Sequence, residues 1–465
     1  MKRIERHPTD RATLAMTLVA LLGAALTAAA YWPGLMTWDS MREYREGLSG
    51  DIDDWHPPVV EWVWGRLAQI VPGPAPMLVL QLALYWGGLV LLAVQVRRAG
   101  RPEVGWGLLA CGFLPLALAL TGAILKDSLM AGALLVATGL LAVRLRGGGG
   151  WASVVAIVLL LFAATLRFNA FCACLPLTIA LLPRAWRRTW PRLVLTGIVA
   201  TAALMAAMPI ANRLIGAKPS GVELSLVIFD LGGITEHGGG DVFPRQLGVA
   251  DPVRVNHRCY RPDKWDSYSD WVDPVCPLGY TAWNTRVAPA GVKPYPFWLR
   301  AVVAHPIAYA EHRLTHFAIN TRLLPLADSV ERPVQVEAPP NDWGYHVTPN
   351  RVLHAIDALT VASAHTPLGW PILWIALALG ALVAGWGRQE AGLVVPLAVS
   401  AILYGCGYLV FSVAVELRYH LWTELAALLA TMLVAGGWRH IPRRRLVLAY
   451  LPAAIVLVVG TAFRL

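Results

Sequence analysis

The sequence predicts an all-α polytopic membrane protein. Hydrophobic residues make up 57% of its 465 residues and charged residues only 15%, which is more apolar surface than one soluble core buries. A bilayer core of about 30 Å needs roughly 20 apolar residues per helix. Windows of that length predict about eleven spans, at 12-31, 76-96, 104-122, 128-143, 151-166, 170-183, 193-211, 367-386, 391-413, 421-437 and 446-463.

The first span has a second interpretation as a cleaved signal peptide. Lys2-Arg3 precede an apolar run that ends in Ala28-Ala29-Ala30, a candidate small-residue cleavage site. The run is longer than a usual signal core, however, and ten further spans follow it. An uncleaved membrane anchor is therefore favoured.

The distribution of basic residues predicts the orientation. The predicted inside loops carry more than twice as many Lys and Arg residues as the short outside segments, and one of them holds Arg184, Arg187, Arg188 and Arg192. Basic residues of short loops stay on the cytoplasmic side. We therefore expect a multi-pass protein of the bacterial inner membrane with its N-terminus inside. This bias also explains the net charge of +10, so no nucleic-acid partner is needed.

The chain divides into three predicted regions. An N-terminal transmembrane module covers 1-211, a large extracytoplasmic loop covers 212-366, and C-terminal transmembrane helices cover 367-465. We find no internal repeat.

The two outer segments have different predicted structures. In the first outer loop, 32-75, the sequence predicts a short helix at 41-48 and a second helix that begins at the Pro-Pro pair 57-58. The tryptophans of the second helix are typical of residues at headgroup depth. The large loop begins with strand-like or irregular sequence and then predicts a helix near 296-323 that is interrupted at Pro306. We interpret the segment Asp230-Leu231-Gly232-Gly233 as a turn. Four histidines are interpreted as interfacial residues: His305, His312, His316 and His420.

Two of the six cysteines lie in the large outer loop. Cys259 and Cys276 face an oxidising compartment in the predicted topology, which favours a disulfide. A metal site is disfavoured because no Cys-x-x-Cys or clustered histidine accompanies them. The remaining cysteines lie in predicted spans and are interpreted as small packing residues.

Polar and charged residues collect near the predicted outer membrane face. They are Asp39, Glu43, Asp54, His56, Lys126, Asp127, Arg167, Asn169, Glu416, Arg418, Tyr419 and His420. Helical bundles turn such groups toward an interior cavity, which predicts a membrane-embedded site that opens outward. Acids and cations together suit group transfer from an anionic lipid, because Arg and Lys hold a phosphate and a carboxylate accepts the proton of an acceptor hydroxyl.

The order of these residues resembles a family of membrane enzymes. The segments that carry the resemblance are Trp38-Asp39-Ser40-Met41-Arg42-Glu43-Tyr44, Asp54-Trp55-His56-Pro57-Pro58, Lys126-Asp127, Arg167-Phe168-Asn169 and Glu416-Leu417-Arg418-Tyr419. Their layout is similar to that of GT-C fold glycosyltransferases, especially those that transfer aminoarabinose to lipid A or mannose to proteins. Ser40 departs from the pattern, since those relatives carry Glu there, and the resemblance therefore leaves the acceptor open.

The resemblance implies an inverting transferase that takes a sugar from a polyprenyl-phosphate donor. Asp39 is then the catalytic base, with Asp54 and His56 as further catalytic candidates. Cations that bind the leaving phosphate replace a general acid. Arg418 is the first choice for that role, followed by Lys126 and Arg167, with a hydrogen bond from Tyr419. Asn169 and Glu416 complete the predicted site.

Each assignment has an alternative. Asp39 also suits a helix N-cap, Asp54 and His56 suit a turn before the prolines, and Arg418 suits a pair with Glu416 or a position at the headgroups. At the level of function, the alternatives are a transporter or flippase for a lipid-linked or anionic solute, and a surface-polysaccharide polymerase or ligase.

No resident cofactor is predicted. A divalent ion is compatible with the class, but no cluster of acids at ligand spacing indicates one. The expected partners are the lipid-linked sugar donor, an acceptor glycan, lipid or protein of the cell envelope, and membrane lipids. The sugar, the acceptor and the lipid chain length stay open.

Overall fold

A computed structural model describes residues 10–325 and 338–464 of the chain. The chain divides into two compact units. The first comprises Met1–Lys218, Val330–Gly405 and Arg418–Leu457, and the second comprises Pro219–Ser329, Cys406–Leu417 and Val458–Leu465. Lys2 and Arg3, on which the signal-peptide alternative depends, lie outside the described residues.

The fold is all-helical, with 73% of the residues in helices and no β-strand within the described ranges. The helices up to Lys218 are α1 Arg11–Tyr31, α2 Trp38–Ser49, α3 Pro58–Ala68, α4 Ala75–Arg98, α5 Pro102–Ala110, α6 Pro115–Gly122, α7 Lys126–Leu145, α8 Gly150–Ala164, α9 Ala170–Leu181 and α10 Trp190–Ile215. The helices that follow are α11 Glu223–Ile234, α12 Pro252–Cys259, α13 Tyr280–Ala282, α14 Pro294–Ala304, α15 Pro306–Asn320, α16 Arg351–Ala364, α17 Pro371–Gly385, α18 Ala391–Phe411, α19 Leu421–Ala435 and α20 Arg443–Ala462.

Within the described residues, six helices are long and apolar enough to cross a membrane by length and composition. They are α1, α4, α7, α10, α18 and α20. The segments Pro102–Phe113 and Pro115–Gly122 meet the same test together but bend by 55° at their junction. The helices α8, α9 and α17 are apolar but shorter. The prediction of a helical membrane protein is therefore confirmed by the length and composition of these helices. A helix also lies at each of the eleven predicted places.

Close packing of α4 against α7 forms the centre of the first unit. A Cβ atom added to Gly88 of α4 would lie 2.6 Å from Leu135, and one added to Gly132 of α7 would lie 2.8 Å from the Leu84 side chain. Small residues let membrane helices approach this closely. The packing fixes α7, and with it the position of Lys126 at its first residue.

The two helices of the first outer loop form as predicted, although α2 begins three residues earlier than expected. Thr37 caps α2, because its hydroxyl accepts from the Ser40 amide at 3.3 Å while the Ser40 hydroxyl accepts from the Thr37 amide at 2.6 Å. This reciprocal pair is a capping box. Asp39 lies inside the first turn, so the alternative that Asp39 is the helix cap is wrong. Pro58 opens α3, where its missing N–H costs nothing.

The second unit contains the predicted disulfide. Cys259 and Cys276 are bonded, with their Cα atoms 6.0 Å apart, which confirms the pairing. The predicted helix near 296-323 is also present as α14 and α15, and the break falls between Ala304 and Pro306.

The segment 230–233 is helical, so the interpretation of these residues as a turn is wrong. It lies within α11, in a stretch that the sequence predicted as strand-like or irregular. The two glycines serve close packing, because a Cβ on Gly232 would collide with the Tyr268 hydroxyl and one on Gly233 with the His312 ring. Tertiary contacts thus overcome the low helix propensity of glycine.

Asp230 organises the buried core of the second unit. Its carboxylate lies 2.6 Å from Arg313 Nη2 and accepts a hydrogen bond from Trp298 Nε1 at 2.7 Å. His312 Nε2 lies 3.2 Å from the same carboxylate. Burial lowers the pKa of His312 and lowers that of His316 to about 3. Both histidines are fully buried, so their assignment to the membrane interface is wrong.

Candidate functional site

Two backbone segments that run side by side bring the first outer loop to the start of α7. The Leu35 amide donates to the Gly122 carbonyl at 3.2 Å, and the Ile124 amide donates to the Leu35 carbonyl at 2.9 Å. Leu35 lies shortly before α2 and Ile124 lies shortly before α7. The pairing therefore places Asp39 near Lys126, although 87 residues separate them.

Lys126 is the centre of the resulting cluster. Its Nζ atom lies 3.5 Å from Asp39 Oδ2, 3.3 Å from Glu43 Oε1 and 2.9 Å from His56 Nδ1. Asp39 and Glu43 share one face of α2 because they are four residues apart. Since a lysine ammonium only donates, His56 Nδ1 is the acceptor, and the imidazole proton is assigned to Nε2.

An ion pair beside the cluster positions His56. Arg42 Nη2 lies 2.5 Å from Asp53 Oδ2, and Asp53 Oδ1 accepts from the Trp55 amide at 2.8 Å. These contacts hold the segment that carries His56 against α2. Asp54, which was predicted from the sequence as a further catalytic candidate, donates its backbone N–H to the Lys218 carbonyl at 3.0 Å.

Arg418 completes the cluster from the other end of the sequence. Its Nη2 atom lies 2.9 Å from Asp39 Oδ2, the same oxygen that Lys126 approaches. Arg418 is in a short 3-10 segment directly before α19. The start of α19 is fixed by Trp422 Nε1, which donates to the Ser400 hydroxyl at 2.8 Å. Arg418 thus pairs with Asp39, and the alternative pairing of Arg418 with Glu416 stays a prediction.

The two acids of α2 differ in their pKa. Burial alone would raise the pKa of Asp39, but the positive charges of Arg418 and Lys126 outweigh it and hold that pKa well below its usual range. For Glu43, which is 1% exposed, burial raises the pKa to about 7 against the opposing charge of Lys126. Burial and the Lys126 charge hold the pKa of His56 well below its usual range. At neutral pH the cluster thus contains an ionised Asp39, a neutral His56 imidazole and two cations, together with Glu43, whose pKa is raised toward neutrality.

A second ion pair lies at the same end of α7. Arg167 Nη1 forms a salt bridge with Asp127, whose side chain is 1% exposed. The Arg167 guanidinium carbon lies 4.2 Å from the Tyr419 ring centroid, and that of Arg418 lies 5.5 Å from it. Both distances permit cation–π contact. The tyrosine ring therefore joins the two ion pairs.

The other predicted site residues have separate environments. Asn169 directly precedes α9 and is 3% exposed, and its buried Nδ2 atom finds no acceptor among the described residues. Glu416 belongs to the second unit. His420 is fully buried, so its interfacial assignment is wrong.

Sequence reasoning gave no role to Glu43 or Asp127. Both were recognised only as charged residues near the predicted outer face. The spacing of Glu43 from Asp39 on α2 is a signal that was present in the sequence. The pairing of Asp127 with Arg167 depends on how α8 and α9 return to α7, and local sequence does not encode it.

Within the described part of the chain, no group of three or more His, Cys, Asp or Glu side chains could hold a metal ion. No protein-family model and no curated protein matches the chain.

The cluster is suited to bind an anion. Two cations converge on one carboxylate oxygen, and the side chain of Asp39 is 30% exposed. A phosphate that displaced this carboxylate would receive charge-assisted hydrogen bonds from both cations. The displaced carboxylate would then be available to accept a proton.

Proposed function

We propose that this chain is an inverting GT-C-type glycosyltransferase that moves a sugar from a polyprenyl-phosphate donor to an acceptor hydroxyl of the cell envelope. The observation that carries the proposal is the Asp39 carboxylate held at 2.9 Å by Arg418 and at 3.5 Å by Lys126. An acceptor-activating carboxylate beside two phosphate-binding cations is what this transfer requires.

The wider architecture proposed for the chain is a GT-C-like bundle of eleven spans in the bacterial inner membrane. The six long helices, the bent pair, the three short apolar helices and α19 together supply that number. The excess of basic residues in alternate loops supports a cytoplasmic N-terminus. We call the group formed by Asp39, Glu43, His56, Lys126 and Arg418 the Asp39 cluster. In the proposed orientation this cluster faces the periplasm, where lipid, glycan or protein acceptors are found.

The proposed mechanism begins with an exchange of anions. The donor phosphate takes the place of Asp39 on Arg418 and Lys126, and Asp39 loses the two charges that depress its pKa. The acceptor oxygen then attacks the anomeric carbon while Asp39 accepts its proton. The bond from that carbon to the phosphate oxygen breaks, and polyprenyl phosphate leaves with the electron pair, stabilised by both cations.

Neighbouring residues support this exchange. His56 stays neutral and accepts a hydrogen bond from Lys126, so it orients the ammonium without competing for the phosphate. Glu43, with a pKa of about 7, exchanges a proton at neutral pH and balances the charge of Lys126. Asp54 has no assigned step in this mechanism and stays a further catalytic candidate.

Sugar transfer from a panel of polyprenyl-phosphate sugars, measured with the purified protein in vesicles, tests the proposal. Asp39→Asn removes the base and should reduce turnover at least about 100-fold. Asp51→Asn is the matched control, because Asp51 lies in the same loop, is 65% exposed and pairs only with the exposed Lys218 in the described contacts. A near-normal rate in Asp39→Asn would refute the base assignment. Movement of a lipid-linked solute across the vesicle membrane without transfer would instead favour a flippase.

A further inference from the structure

A long apolar crevice lies in the first unit, away from the Asp39 cluster. It has a volume of about 550 Å³ and is bounded by α8, α9 and α10. Its apolar lining includes Ile157, Leu161, Leu182, Leu195 and Val199. Only 11% of the residues in the candidate span of α10 are buried, so little of the described chain covers the α10 side of the crevice.

Arginines surround one end of this crevice. Arg192 lines both the crevice and an adjoining cavity of about 650 Å³, whose other lining residues include Arg184, Arg187 and Arg188. Among the described residues, no Asp or Glu side chain lines either cavity. We name the two cavities together the arginine crevice.

The charges of the arginine crevice are not balanced within the described residues. Arg187 Nε is buried and has no hydrogen-bond partner there. Burial and the nearby charge of Arg184 lower the pKa of Arg187. Like charges that crowd together without an acid are unfavourable, and a bound anion would relieve this repulsion.

The arginine crevice and the Asp39 cluster lie at opposite ends of α9. This helix begins just after Arg167 and Asn169 and ends at Leu181, shortly before Arg184. At 1.5 Å per residue, its 12 residues separate the two ends by roughly 18 Å. The arginines are therefore not part of the candidate transferase site.

We propose that the arginine crevice binds an anionic glycerophospholipid, with an acyl chain in the apolar slot and the headgroup phosphate on the arginines. Arginine binds phosphate through two parallel hydrogen bonds. Basic pockets between membrane helices select anionic headgroups. Burial of the lipid acyl chain against the apolar wall contributes further binding free energy. A free phosphate would leave the slot empty, and a zwitterionic lipid would leave the four cations unbalanced. The inference does not depend on the transferase activity.

Native mass spectrometry of the purified full-length protein with phosphatidylglycerol, and with phosphatidylcholine of the same chains, tests this site. Wild-type protein should bind phosphatidylglycerol more tightly. The double variant Arg187→Gln/Arg192→Gln should lose about 25-fold in affinity, since each arginine near a lipid phosphate contributes roughly fivefold. The control Arg144→Gln/Arg146→Gln changes two exposed arginines at the end of α7 and should bind like wild type. Equal losses in both double variants would overturn the site.

A second variant tests the slot without changing any charge. Ala203 is exposed and lines the crevice, so Ala203→Trp fills the slot from its open side. It should weaken long-chain phosphatidylglycerol at least about tenfold and leave the dihexanoyl form unchanged. If inorganic phosphate competes as well as the lipid, the site binds anions without using the apolar slot, and the lipid proposal is overturned. Tighter binding of polyprenyl phosphate than of phosphatidylglycerol would mean that the arginine crevice binds the lipid carrier, and it would overturn the proposal.

Discussion

Replacing Asp39 by Asn should tighten the binding of polyprenyl phosphate even as it slows sugar transfer at least about 100-fold. Asp39 Oδ2 lies 2.9 Å from Arg418 Nη2 and 3.5 Å from Lys126 Nζ, so the lipid phosphate must displace this carboxylate before it reaches the cations. A hydrogen bond to a charged group contributes about 1.5–3 kcal/mol. Removing one such competing contact should therefore lower the Kd about 10-fold or more. Asn keeps the size of the side chain, and Thr37 still caps the helix.

The assay is equilibrium binding of polyprenyl phosphate to purified protein in detergent, at fixed pH and ionic strength. Asp51→Asn removes one carboxylate from the same loop and has the same effect on net charge, so it controls for long-range electrostatics. Equal or weaker binding by Asp39→Asn than by Asp51→Asn would refute the displacement of Asp39 by phosphate. The same result would also remove the reason for a proton-accepting Asp39 in the donor complex.

Three further predictions concern Glu43, the disulfide and the topology. Because the pKa of Glu43 is about 7 in the folded protein against an ordinary 4.5, the folded state binds more protons between these values. Its contribution to stability is complete below pH 4.5 and is lost as the pH rises to 7, by about 3 kcal/mol. Glu43→Gln should flatten this dependence in thermal unfolding, and an unchanged slope would contradict the shift. A thiol reagent should label Cys259 and Cys276 only after reduction, so labelling without a reductant would argue against the bond. A reporter active only in the cytoplasm should function when fused after Arg146 and fail when fused within 230–290, and the opposite pattern would reverse the orientation.

Local chemistry made much of the helical structure predictable from the sequence. Pro58 predicts the start of α3 and Pro306 the break between α14 and α15, because proline lacks the N–H that a continuing helix requires. The pairing of Cys259 with Cys276 followed from their common loop. The apolar windows predicted where helices lie, but not that α5 and α6 bend by 55° at their junction.

Long-range contacts account for what the sequence did not predict. Gly232 and Gly233 suggest a turn when only their neighbours are considered, yet Tyr268 and His312 pack where their side chains would be. Glu43 was recognised as charged, but its burial and its contact with Lys126 depend on the pairing of Leu35 with Gly122 and Ile124. The site roles of Asp39 and its neighbours stay predictions that the proposed assays test.

The two ion pairs at the start of α7 differ in how readily an anion can replace their acids. Lys126 and Asp127 are adjacent, and successive helical residues point about 100° apart, so one contacts Asp39 while the other pairs with Arg167. Asp39 is 30% exposed, whereas Asp127 is 1% exposed, and separating a buried pair leaves an uncompensated charge that costs several kcal/mol. An incoming phosphate should therefore displace Asp39 and leave Asp127 in place. This makes Arg418 and Lys126 the cations that exchange their partner, while Arg167 keeps its acid and holds the Tyr419 ring in position beside them.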